Sequence, residues 1–133
     1  MNIRSANRNL DEFLLILKKL QLHFSVVVLT ETWLNATYDW TEVPGYRAYH
    51  AIREGRSGGG VTILVRSHLS AEYLPALTLV GDCRESLGVD VTFGGVALTI
   101  LGTYRPPSSS LALFNQEYFD FIAGVAQIEF TQW

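Results

Sequence analysis

A layered α/β fold follows from two patterns in this 133-residue sequence. Near the N-terminus a helical apolar stripe runs directly into a short β-branched run, and farther on two pairs of strand-like segments each close over a glycine-rich turn. A helix hides its stripe, and a strand its apolar face, only against another layer, so helices and hairpins in one chain of this size imply packed layers around a core.

The first helix is expected from Asn9 to Leu20, because Leu10, Phe13, Leu14, Leu17 and Leu20 recur at helical spacing. Asn9 with Glu12 three residues on has the form of a capping box. Asp11 and Glu12 suit the positive end of the helix dipole, and Lys18 and Lys19 the negative end. Phe24 to Thr30 (FSVVVLT) has no polar alternation, which suits a central strand covered on both faces. Asn35 to Gly45 is polar and aromatic, closes on Pro44-Gly45, and reads as a surface loop.

Tyr46 to Ile52 and Val61 to Arg66 are strand-like and are joined by the turn sequence REGRSGGG, so they are expected to pair with Val61, Ile63 and Val65 on one face. Leu87 to Phe93 and Val96 to Tyr104 flank Gly94-Gly95, where both turn positions accept a positive φ. Pro106 and Pro107 end the last strand. Ser108, Ser109 and Ser110 then offer caps to a second helix, marked by Leu111, Phe114, Tyr118, Phe121, Ile122 and Val125. No stop signal is legible between Ile128 and Trp133. With no repeat or linker, residues 1–133 read as a single domain.

Composition narrows the function classes. The net charge of −3 lacks the basic footprint of an autonomous nucleic-acid binder. It leaves room for a nuclease that reaches phosphate through a bound metal ion. Cys83 is the sole cysteine, which excludes an intrachain disulfide and a Cys-rich zinc site, and makes a reduced, intracellular compartment the expectation. The N-terminus has no apolar signal core, and no apolar run is long enough to cross a bilayer, so the chain reads as neither secreted nor membrane-bound. Because 48% of residues are hydrophobic and only 17% charged, apolar faces in need of a cover are expected.

Glu31 lies just past the end of the first buried run, where open α/β sheets place their ligand sites. A carboxylate there can hold Mg²⁺ while the ion keeps several waters; position alone favours a solvated strand-end glutamate. Ser57 to Gly60 is not a phosphate loop, since Val61-Thr62-Ile63 follows where Lys-Ser/Thr and a helix are required. His23, His50 and His68 form no ligand set by spacing.

Several segments, in order, carry a resemblance. They are Asn2-Ile3-Arg4-Ser5, then Thr30-Glu31-Thr32-Trp33-Leu34, then Arg53 followed by Gly58-Gly59-Gly60-Val61-Thr62-Ile63, and last Tyr104-Arg105-Pro106-Pro107. Together they resemble the N-terminal half of the endonuclease domain of non-LTR retrotransposons, within the DNase I-like endonuclease/exonuclease/phosphatase superfamily. The resemblance implies about half of a four-layer α/β/β/α sandwich, with each half of the domain contributing mainly one sheet. It implies a Mg²⁺-dependent nuclease (Mn²⁺ also fitting) that nicks target DNA in the nucleus, with Glu31 as the metal-binding glutamate. Asn2 is then the active-site asparagine, whose carboxamide both donates and accepts; a poorly held N-terminal residue is the alternative. Tyr104 aims its hydroxyl at the scissile phosphate, or is a packing aromatic. Arg105, and more weakly Arg53, are phosphate contacts, or ordinary solvated arginines.

The family's later motifs, Gly-Asp-Phe-Asn, Ser-x-x-Asp and Ser-Asp-His, do not occur. Most of its first strand would lie before Met1. Losing one transition-state donor already costs about a hundred- to a thousandfold, so a truncated, inactive copy is the leading expectation. The alternatives are one half of a two-chain nuclease, a non-catalytic interaction domain that self-associates or binds a partner through an uncovered apolar sheet face, and a phosphatase of the same superfamily.

Overall fold

The computed structural model describes residues 1–35, 40 and 42–131, with side chains described through Val125. Helix α1 (Ala6–Lys19) is followed by β1 (Val26–Thr30), β2 (Tyr46–Ala51), β3 (Val61–Arg66), β4 (Ser70–Val80), β5 (Glu85–Phe93), β6 (Val96–Tyr104) and helix α2 (Leu111–Thr131). The strands form two antiparallel three-stranded sheets, ordered β1-β3-β2 and β4-β5-β6. The fold is therefore mixed α/β, as the sequence predicts. The expectation that this stretch supplies mainly one sheet is corrected, because both hairpins are local and each seeds its own sheet.

Strand periodicity builds the core. Val61, Ile63 and Val65 of β3 meet Leu87, Val89 and Val91 of β5 between the sheets, all buried. On the other face of the first sheet, Val27, Leu29 and Leu64 pack with Leu10 of α1 and with Ile3. So β3 is buried on both faces, and it is the central strand. The β1 run is not the central, doubly buried strand its sequence suggests: it lies at the edge of its sheet, with Val27 and Leu29 buried and Val26, Val28 and Thr30 only half-buried on the other face. Its free edge takes a parallel bridge from the N-terminal segment, with Ile3 N donating to Thr30 O at 2.9 Å and Thr30 N to Met1 O at 2.8 Å. The inner sheet faces thus cover each other, and the uncovered inner face expected from the sequence is not found along β3 and β5. Apolar exposure lies elsewhere, at Leu15, Ile16 and Leu20 around the end of α1, at Val96 and Leu98 of β6, and at Leu111, Leu113 and Phe119 of α2.

Several boundaries move for physical reasons. Helix α1 starts at Ala6, and Asn9 does not cap it. Instead Asn9 Nδ2 donates back to Ile3 O at 2.8 Å and Arg4 O at 2.7 Å, tying the first residues to the helix. Asp11 and Glu12 consequently fall outside the first turn, while Lys18 and Lys19 do occupy the last. Leu20 is exposed, not part of the stripe. In α2, Phe114, Tyr118, Phe121 and Val125 are half-buried, whereas Leu111 and Ile122 are exposed. The helix meets the residue that precedes β5, where the Arg84 guanidinium lies 4.0 Å from the Phe121 ring centroid. Burial pushes that guanidinium's pKa down, against the neighbouring Glu117 and Tyr118. Strand β4 has no counterpart in the sequence reading. Pro75 and a register break between Leu74 and Leu79 interrupt its ladder, which an edge strand tolerates. In the loop expected from Asn35 to Gly45, residues 36–39 and 41 lie outside the described residues.

His50 on β2 is bound to Thr62 Oγ1 at 2.8 Å and meets the Trp40 ring edge-on at 4.6 Å. Burial lowers its pKa from 6.5 to about 4. The ring is then neutral in the fold, while the unfolded chain takes up a proton below pH 6.5. The stability this contributes is complete above pH 6.5 and is lost as the pH falls toward 4. The loss is on the order of 2–3 kcal/mol. His50→Gln should flatten the urea-midpoint profile across that window, and a variant profile as steep as the parent's would place the titration elsewhere.

Candidate functional site

The end of β1, the Gly58–Gly60 turn, the end of β6 and the N-terminal segment converge at one end of the two sheets. Strand β1 ends at Thr30, and the chain then turns sharply because Glu31 and Trp33 both take left-handed backbone angles (φ 59° and 55°). Such a conformation costs a side-chain-bearing residue roughly 1–3 kcal/mol, and surrounding contacts must hold it. They do so here. Ser5 N donates to Glu31 O at 2.7 Å, Ala6 N to Thr32 O at 2.8 Å, and Trp33 N to Gly59 O at 2.9 Å.

This turn puts the Glu31 carboxylate between two donors. Trp33 Nε1 donates to Oε2 at 2.5 Å, and the Tyr104 hydroxyl donates to Oε1. Tyr104 arrives from the end of β6, so the contact joins the two sheets. The β1 bridge sets Asn2 beside Thr30, one position from Glu31, with Asn2 itself exposed. Three residues singled out by sequence, Asn2, Glu31 and Tyr104, are therefore brought to one locality.

The two arginines stand apart from that carboxylate. Arg53 Nε binds Glu85 Oε1, and its Nη1 donates to Ser57 O at 3.1 Å. Its side chain is 14% exposed and that of Glu85 is fully buried, so the guanidinium is mostly buried and held by the carboxylate. Arg105 is exposed and donates from Nη1 to Ser109 O at 3.1 Å, closing the turn that leads into α2.

Glu85 escaped the sequence reading. Its second oxygen, Oε2, accepts from Gly60 N at 2.8 Å. The signal was available, because Glu85 occupies the same face as Leu87, Val89 and Val91 at a period of two. A carboxylate in an apolar register needs a buried cation. Nothing in the Thr30–Leu34 motif signals the indole contact of Trp33 with Glu31, which depends on the left-handed backbone.

The turn at Gly58, Gly59 and Gly60 is required by space as well as by φ, which is positive at all three. A Cβ on Gly59 would overlap the Arg53 guanidinium, and one on Gly60 would stand 2.6 Å from Thr32 Oγ1. Among the described residues, no group of three His, Cys, Asp or Glu side chains is placed to hold a metal ion together. The carboxylate has lone pairs beyond the two that accept from Trp33 and Tyr104, so it can still bind one cation. The donor set fits a largely hydrated, hard divalent ion on one carboxylate, and does not fit a closed protein cage. No protein-family model matches the chain, and no curated protein matches it.

Proposed function

We propose that the chain carries the metal-ligand side of a Mg²⁺-dependent, DNA-nicking phosphodiesterase site of the retrotransposon-endonuclease type, within a four-layer α/β/β/α sandwich and acting in the nucleus. One observation carries the reading: Glu31 of the first sheet and Tyr104 of the second meet at the sheet ends, beside the segment that holds Asn2. The resemblance puts both residues at one site without implying a bond between them, and two residues 73 positions apart do not meet by local structure alone.

In this reading Glu31 offers an oxygen to Mg²⁺, and the ion supplies charge at the phosphate and an acidified water. Trp33 Nε1–H and Tyr104 O–H fix the plane of the carboxylate. The Tyr104 hydroxyl can also turn to a phosphate oxygen, where a neutral donor meets developing charge. Asn2, at the rim, contributes a carboxamide able to donate and accept. The water-orienting and phosphate-stabilising groups of the resembled family, its Gly-Asp-Phe-Asn and Ser-Asp-His, are not in this sequence. These 133 residues alone are therefore expected to bind metal without turnover.

The test is a Mn²⁺ titration followed by electron paramagnetic resonance, with Glu31→Gln as comparison. One weak site in the parent that disappears in Glu31→Gln is the expected result. Equal binding by both proteins, or none by the parent, would reject the reading. Nicking of supercoiled plasmid should stay at background in both proteins.

A second reading, a non-catalytic domain that self-associates through an apolar face, is favoured by the exposure of Val96 (60%) on β6 and Phe119 (71%) on α2. Sedimentation as a monomer at high concentration would remove it.

A further inference from the structure

The geometry points to the buried Arg53–Glu85 pair as the positioning element for the Glu31 carboxylate. The inference rests on the reading above only for the metal, since the contacts themselves are metal-independent.

The contacts close a ring. Glu85 binds Arg53 through Oε1 and the backbone N–H of Gly60 through Oε2, at 2.8 Å. Arg53 reaches on to Ser57 O, so both ends of the glycine turn are fixed to the same ion pair. The turn then fixes the chain after β1. Gly59 O accepts from Trp33 N at 2.9 Å, and Gly60 O from Thr32 N at 3.5 Å. Trp33 in turn grips Glu31 Oε2 with its indole N–H, and Tyr104 grips Oε1. Tyr104 is the direct cross-strand partner of Glu85 in the β5–β6 ladder, which returns the ring to its start.

Every link has few alternatives. Glu85 is fully buried, out of reach of bulk solvent, so its carboxylate depends on Arg53 and Gly60. Gly59 lies so close to the guanidinium, and Gly60 to Thr32 Oγ1, that neither position has room for a Cβ. The left-handed angles at Glu31 and Trp33 give the carboxylate its direction, and backbone bonds to the glycine turn and to the N-terminal segment help hold them. Glu85 and Arg53 touch neither metal nor phosphate. They act through the turn.

A buried ion pair replaced by apolar side chains of similar volume often leaves stability unchanged. That separates a positioning role from a structural one. The experiment compares the parent chain with the double variant Arg53→Met/Glu85→Met and with the conservative Arg53→Lys. Thermal melting reports the fold, the Trp33 indole N–H resonance reports the carboxylate contact, and Mn²⁺ titration reports the ligand. The double variant is expected to melt near the parent, to lose the shift and exchange protection of the indole N–H, and to bind Mn²⁺ roughly 10- to 100-fold more weakly, as loss of a supporting partner does elsewhere. Arg53→Lys should recover part of the indole shift. Assignment of that resonance comes from Trp33→Phe.

A double variant that folds with the indole signal unchanged overturns the proposal. One that fails to fold also overturns it, by assigning the pair to the fold. If the parent binds no Mn²⁺ yet the indole signal collapses in the double variant, the positioning role stands and the metal reading falls.

Discussion

Replacing Arg53 alone by methionine is expected to cost about 3–5 kcal/mol of folding stability, the range for breaking a buried ion pair from one side. The cause is the partner left behind. The Glu85 side chain is fully buried, and among the described residues its remaining donor without Arg53 is the Gly60 N–H. A charge in that position keeps its desolvation cost and loses the attraction that offset it. Glu85→Met is expected to cost less, because Arg53 retains some exposure and its flexible stem can carry the guanidinium toward water. Arg105→Met is the control. Its side chain is exposed and makes one bond, to Ser109 O, so its effect should fall within about 0.5 kcal/mol. Urea unfolding of the three variants gives the order directly. Equal losses for Arg53→Met and Arg105→Met would mean that the Arg53–Glu85 contact contributes nothing net.

This asymmetry between the two arginines was not legible in the sequence. Both precede turn residues, and both read as phosphate contacts or solvated side chains. What separates them is Glu85, which lies 32 positions from Arg53 and belongs to the other sheet. Local pattern reveals hairpins because strand and turn are contiguous, and so the β2–β3 and β5–β6 pairings and the Gly94-Gly95 turn were readable. Which sheet each hairpin joins is decided by packing between distant faces, and the reading of one sheet failed there. Strand β4 failed for a different reason: its Pro75 and bulge carry the marks of a loop, and only its position at an edge makes them tolerable. At the site, the motif residues gave Glu31 and Tyr104, but the role of Trp33 depends on a left-handed backbone that no pattern announces.

The second large effect tests how the sheets meet. Ile63→Ala is expected to cost about 2–5 kcal/mol, from the lost transfer energy and the void left in a packed interior. Ile63 is fully buried at the middle of the central strand, paired with Val28 on one side and Tyr49 on the other. Its side chain faces the second sheet in the cluster that holds Leu87, Val89 and Val91. The sheets cannot close over the void easily. Gly102 already lets β6 approach so closely that a Cβ there would stand 2.8 Å from both Val28 and Val61. Backbone contact at that point props the sheets at their present spacing, so little relaxation can offset the missing side chain. Ile63→Val, which removes a single methyl group, should cost only about 0.5–1.5 kcal/mol. Val96→Ala, at a position 60% exposed on β6, should be close to neutral. A loss for Ile63→Ala no larger than that for Val96→Ala would contradict face-to-face packing of the two sheets. It would also remove the scaffold on which the Glu31–Tyr104 contact depends, since those residues come from opposite sheets.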